Sequence, residues 1–159
     1  MKIGVIADTH LNEPTTALRE AVRTYFRDAD TILHAGDLHS LRVLEVFGDR
    51  KVYAVAGNRD DVETKAILPR TASITAGGFR IGLIHGWGSP FRLGERAAGV
   101  FAGLDCLVFG HSHMPVNRLR GDVLLFNPGA FKRALLSLGR RSIGVLTVGK
   151  GLEGEIIRL

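Results

Sequence analysis

Leu107-Val-Phe-Gly-His-Ser-His-Met-Pro115 is the stretch on which the reading of the fold turns. Leu107 to Phe109 read as a buried strand, and Gly110 breaks it. His111 and His113 then stand two apart at the strand's C-terminal end, where open α/β sheets place their ligands. Imidazole is the commonest metal-ligating side chain near neutral pH. Alone, such a pair serves in turns as readily as in ligation. Four further strand-like runs end in similar residues: Asp8 and His10, Asp37, Asn58, and His85. The chain therefore reads as a scaffold that gathers five strand ends around a pair of metal ions.

Working outward, the strands alternate with helical patterns. Ile3 to Ala7 is apolar on both faces and is expected to be a central strand. A helix is predicted from about Pro14 to about Arg27, with Leu18, Ala21, Val22, Tyr25 and Phe26 at helical spacing. Thr31 to Ala35 is the second strand, Leu41 to Phe47 a short helix, and Val52 to Ala56 the third strand. This order implies parallel pairing with right-handed crossovers. Asp61 to Leu68 is predicted helical. Ala72 to Thr75 and Phe79 to Ile84 flank Ala76-Gly77-Gly78 as a hairpin. Phe91 to Ala102 is a further helix, weakened by Gly94 and Gly99, and leads to the Leu104–Phe109 strand. Val116–Leu119, Val123–Phe126, Ser142–Val148 and Glu155–Leu159 look like a β meander, expected to form a second sheet packed on the first.

The 159 residues suffice for one domain with a real core, and residues 1–159 are read as that single domain. A composition 45% hydrophobic and 23% charged is that of a soluble globular protein, not a disordered one. No apolar run is long enough to span a bilayer, and Met1 to Ala7 is too short for a signal h-region. One cysteine, Cys106, excludes an internal disulfide framework and fits a reducing cytoplasm. The net charge of +5 is spread along the chain without interleaved aromatics, so no specific nucleic-acid binding is expected. Lys132-Arg133 and Arg140-Arg141 read as solvated surface, and the charge as mild steering of anionic substrates. Edges of a β-rich fold leave a homo-oligomer open.

Asp8, His10, Asp37, Asn58, His85, His111 and His113 form a donor set too large for one tetrahedral zinc, and it contains no thiolate. It suits two ions completed by water, with Mn²⁺, Fe²⁺, Zn²⁺ and Ni²⁺ all reasonable. Ions about 3.5–4 Å apart need a bridging anion, and a carboxylate is the natural one. Such a pair generates hydroxide near neutral pH and clamps the oxygens of an in-line displacement at phosphorus. The chemistry points to hydrolysis of a small phosphoester.

Asp8-x-His10, Gly36-Asp37, Gly57-Asn58-x-Asp60, His85-Gly86 and Gly110-His-Ser-His113 together resemble the ordered signature of the calcineurin-like metallophosphoesterases. The likeness covers the whole chain, and Asn127-Pro-Gly129 resembles the small bacterial and archaeal phosphodiesterase branch. It implies a four-layer αββα sandwich of two mixed β-sheets flanked by helices. It also implies one ion on Asp8, His10, Asp37 and His113, and Asp37 bridging to a second on Asn58, His85 and His111. Manganese is the metal such relatives commonly use in vitro. Many relatives carry His after the Gly-Asn pair as proton donor to the leaving oxygen. Arg59 stands here instead, a permanent cation suited to clamping phosphate. Catalysis is thus assigned to Asp37, Asn58, Arg59 and His85 with the metals. The alternative is a non-catalytic scaffold, as in a eukaryotic coat-complex relative that has lost part of the ligand set.

Other residues carry blander expectations. His34 reads as a packed, hydrogen-bonded core histidine and Cys106 as an inert small hydrophobe. His39 reads as a solvated loop residue ahead of a substitute proton donor. Trp87 fits either stacking on a substrate ring or covering the sheet end. Asn127 and Gly129 read as turn geometry.

Overall fold

The computed structural model describes residues 1–132 and 139–159, so Arg133 of the Lys132-Arg133 pair lies outside the described residues. Among the described residues, ten strands form two five-stranded sheets. The first sheet has the order β10-β9-β1-β2-β3, with β1 Lys2–Ile6, β2 Thr31–His34, β3 Lys51–Ala54, β9 Ser142–Val148 and β10 Leu152–Arg158. The second has the order β4-β5-β6-β8-β7, with β4 Thr71–Ala76, β5 Phe79–Ile84, β6 Cys106–Phe109, β7 Val116–Arg120 and β8 Val123–Asn127. Both are mixed: β1, β2 and β3 pair in parallel, as do β5, β6 and β8, while the remaining pairs are antiparallel.

Period-two alternation sorts the side chains into layers. Ile3, Val5 and Ala7 of the first sheet meet Cys106, Val108, Leu124 and Phe126 of the second in a dry core between the sheets. The opposite face of the first sheet, including Ile6 and Ile32, is covered by α1 (Thr16–Tyr25) through Leu18 and Val22, and by a 3₁₀ helix, Leu41–Phe47. The outer face of the second sheet, Leu107, Phe109 and Leu125, is covered by α3 (Leu93–Ala98). A two-turn α2, Val62–Ile67, begins at Asp61, whose carboxylate accepts from the Thr64 amide. The result is the expected αββα sandwich, with β1 central in its sheet.

Two expectations are corrected. The late strands do not build the second sheet by themselves. That sheet begins at β4, and the β9–β10 hairpin returns to the open edge of β1, with Ile3 opposite Leu146. The reason is packing: a Cβ on Gly144 or Gly154 would meet the Phe126 ring at 2.5 Å, so these glycines form the bed on which the other sheet's Phe126 lies. The helix expected over 91–102 spans only Leu93–Ala98. It starts behind Arg92, which has φ 53° and gives no side-chain cap, and it stops at Gly99. Cys106 is fully buried, and burial pushes its thiol pKa up, as expected of an inert core residue. No helix among the described residues is long and apolar enough to cross a membrane.

Candidate metal centre

The C-terminal ends of β1, β2, β5 and β6, with the loop after β3, converge on one cleft. Asp8, His10, Asp37, His39, His111 and His113 all have positive φ, between 48° and 82°. Among the described non-glycine residues, only Arg92 outside this region shares that conformation. Asp and His tolerate it better than most side chains, yet each instance still costs about 1–3 kcal/mol. Such concentrated strain marks a functional site. Neighbouring loops hold it in place. Asp8 N–H donates to Gly36 O, His10 N–H to Asp37 O and Leu11 N–H to Leu38 O. Asp60, 4% exposed, accepts from the amides of His39 (2.8 Å) and Gly57 (2.7 Å), tying the loops after β2 and β3 together. Gly57 is required because any Cβ there would collide with Asp37.

All seven expected donors are brought together. Asp8, His10 and His113 form one group of possible ligands, and Asp8, Asp37 and His85 form another. His10 Nε2 lies 3.3 Å from His113 Nε2 and 3.8 Å from Asp37 Oδ2. His113 Nε2 lies 3.3 Å from Asp8 Oδ1. Asn58 Oδ1 lies 3.1 Å from His85 Nε2 and 3.0 Å from His111 Nδ1. Asp8 belongs to both groups, so either Asp8 or Asp37 is placed to be the shared carboxylate.

Proton bookkeeping tests whether a cation fits. His85 Nδ1 donates to the Ala35 carbonyl at 2.8 Å, and His111 Nε2 donates to the Gly88 carbonyl at 2.9 Å. In the neutral rings, His85 Nε2 and His111 Nδ1 then carry lone pairs. Both face Asn58 Oδ1, and His85 Nε2 also faces Asp37 Oδ1 at 3.4 Å. With the Asn58 oxygen turned inward, lone pairs thus point at lone pairs, an arrangement satisfied by extra protons, by turning the amide over, or by a cation. Asp8 Oδ1 is buried with no hydrogen-bond partner, although Oδ2 accepts from the His111 amide at 3.1 Å. A divalent ion fits this donor set.

Electrostatics agree. Burial opposes ionisation of Asp37, but the His85 hydrogen bond and charge and the Arg59 amide (2.7 Å) hold its pKa down at about 2. Burial also opposes charge on His85, but its hydrogen bond to Asp37 and the charges of Asp8 and Asp37 raise it above the ordinary value. Burial lowers the pKa of His10 against the pull of Asp37 and Asp8. Positive charge is thus favoured around Asp37 and His85 and disfavoured on the His10 ring itself.

Several neighbours matter more than their sequence context indicated. His39, expected to be solvated, lies in the cleft with Nε2 3.0 Å from His10 Nδ1, so it can accept from His10 and leave Nε2 of His10 free to ligate. Lys132 also lines the cleft, with His10, Asp37, Asn58, Arg59 and the two later histidines, in a cavity of about 340 Å³. His34 is fully buried as expected, 3.2 Å from Thr9 Oγ1, and burial followed by the nearby His85 lowers its pKa to about 3. Arg141, expected on the surface, is half-buried with its guanidinium 5.6 Å from the Phe131 ring centre.

Asn127 does more than shape a turn. Fully buried, it donates through Nδ2 to Gly110 O (2.8 Å) and Ser112 Oγ (3.2 Å), and Oδ1 accepts from Gly129 N–H (2.9 Å). It therefore anchors the loop carrying His111 and His113. Asn127→Ala is expected to lower stability by about 1–3 kcal/mol through the polar groups it strands. It should also weaken divalent-metal binding about tenfold or more. Urea unfolding and calorimetric Mn²⁺ titration measure the two losses, and unchanged metal affinity would reduce Asn127 to a folding role.

A model described as calcineurin-like phosphoesterase superfamily domain matches residues 1–151. A probable metallophosphoesterase of Methanothermobacter thermautotrophicus is 40% identical, the match covering 99% of this chain and 92% of that protein. A phosphodiesterase of Methanocaldococcus jannaschii is 28% identical over 99% of both. Among solved structures, a novel archaeal phosphodiesterase matches with TM-score 0.78 and 27% identity over 100% of both chains. Vps29 of Entamoeba histolytica complexed with zinc matches with TM-score 0.74 and 22% identity over 99% of both, a likeness of fold.

Proposed function

The chain belongs to the calcineurin-like phosphoesterase superfamily, and from that premise we propose that it is a two-metal phosphodiesterase acting on small phosphodiesters. Phosphoesterases of this family use divalent metals, and this chain carries candidate ligands for them. The observation that carries the reading is the convergence of lone pairs from His85, His111, Asn58 and Asp37 beside the unpartnered Asp8 Oδ1. Asp8, His10, Asp37 and His113 would hold one ion, and Asp37, Asn58, His85 and His111 the other. Two bound ions would supply a hydroxide nucleophile near neutral pH and offset charge on the phosphoryl oxygens.

This chain's residues do the rest. The Ala35 and Gly88 carbonyls fix the His85 and His111 tautomers, and His39 does the same for His10. Arg59 and Lys132, on the rim of the cleft, would bind non-bridging phosphate oxygens. The complete donor set favours an enzyme over a scaffold, and the Vps29 likeness bears on fold alone.

Purified protein is expected to hydrolyse bis(p-nitrophenyl) phosphate with added Mn²⁺ and to lose that activity when chelated. Fe²⁺, Zn²⁺ and Ni²⁺ should be compared as alternatives. Elemental analysis should find two ions per chain at saturation. A stoichiometry of one, or turnover that persists in chelator, would overturn the two-metal reading.

A further inference from the structure

Beside the cleft lies a second cavity of about 350 Å³, within the range that holds small-molecule ligands. It shares Asn58 and His85 with the metal centre and extends to Lys65, Arg70 and Trp87. Among the described residues, no carboxylate lines it. Lys65 Nζ donates to the Asn58 carbonyl at 2.9 Å, which sets one cation where the cavity meets the centre. Trp87 is 49% exposed, and its backbone is held in place: its carbonyl accepts from Arg96 at 3.0 Å, and His111 bonds the next carbonyl, that of Gly88. A large flat ring left half-exposed on an anchored loop offers a stacking surface. Two cations on a cavity lined by no carboxylate offer an anion site, with Asp61 near Lys65 but outside the lining.

Resting on the reading above, we propose that this cavity receives the nucleotide arm of the substrate, its base on Trp87 and a phosphate that is not attacked on Lys65 and Arg70. The substrate class is then a nucleotidyl phosphodiester with a phosphate on that arm, such as a 5′-phosphorylated dinucleotide. Asn58 lines both cavities, so a diester can cross it with its scissile phosphorus in the metal cleft. Each half of the recognition has its own chemistry. The ring contributes stacking whatever its sequence, and the phosphate contributes charge-assisted hydrogen bonds.

Trp87 is the sole tryptophan, so intrinsic fluorescence reports this cavity. The full chain is titrated with 5′-AMP in chelator, then again with saturating Mg²⁺. AMP is expected to quench the emission in both conditions. Adenosine should need at least tenfold higher concentration, and inorganic phosphate should compete without quenching. Arg70→Ala and Lys65→Ala should each raise the AMP half-saturation at least fivefold, with Arg70→Lys partly restoring it. AMP no better than adenosine, or variants that bind like the parent, would overturn the proposal. Quenching seen only with Mg²⁺ would put the phosphate on the metal centre and overturn it too. Because the chelator arm requires no turnover, its failure is separable from failure of the hydrolase reading.

Discussion

Asp37→Asn is expected to reduce turnover at saturating Mn²⁺ by at least about 10³-fold, equivalent to about 4 kcal/mol of transition-state stabilisation. It should also lower bound metal from two ions towards one. The substitution is unusually clean. Asp37 has φ 55°, a conformation asparagine tolerates, and the Asn oxygen can still accept from the Arg59 amide that now lies 2.7 Å from Oδ1. What is lost is the negative charge facing His85 at 3.4 Å and His10 at 3.8 Å. Circular dichroism should therefore report an intact fold while elemental analysis and kinetics report the loss. Asp8→Asn is the instructive partner, because Asp8 belongs to both groups of possible ligands. If Asp37→Asn keeps near-normal turnover and Asp8→Asn does not, the shared carboxylate is Asp8 and the proposed ligand sets must be redrawn.

Much of this centre was legible because each donor follows a strand, and strands betray themselves by apolar runs that end at Gly, Asp or Asn. The alternation of Ile3, Val5 and Ala7 with Ile6 likewise announces which face meets which layer. Alternation does not say which edge a strand joins. Leu146 and Val148 would present an apolar face in either sheet, and only the fit of Phe126 on Gly144 and Gly154 shows why β9 and β10 return to β1. The same limit hid the supporting residues. His39 and Lys132 lie in polar loops, where a solvated side chain is the default, and their approach to His10 and the cleft depends on contacts far apart in sequence. Asn127 looked like turn chemistry, which it also performs through Gly129, while its two donated bonds reach back to Gly110 and Ser112.

Arg59 should make the enzyme depend steeply on its leaving group. Its side chain is exposed at the cleft that holds His39, Lys132 and five of the expected ligands, His10 among them, in the position where the family resemblance led to the expectation of a proton-donating histidine. A guanidinium keeps its proton under all ordinary conditions, so it can bind phosphoryl oxygens but cannot serve as the acid. A missing general acid typically costs about 10²–10⁴ in rate, and the deficit grows with the basicity of the leaving alcohol. Aryl diesters, whose phenolates leave unaided, should be cleaved well, and alkyl monoesters poorly. A plot of log kcat/KM against leaving-group pKa should slope steeply downward for the parent. Arg59→Ala should lower the whole line by a similar factor for every substrate, because a clamp acts on oxygens that all of them share. Arg59→His should flatten the line, improving the most basic leaving groups selectively where the imidazole reaches the ester oxygen. A flat parent line, with chemistry shown to be rate-limiting, would mean that a proton donor is already in place. His39 is then the group to test, because it lies in the same cleft with Nε2 3.0 Å from His10, and the clamp-only role of Arg59 would be abandoned.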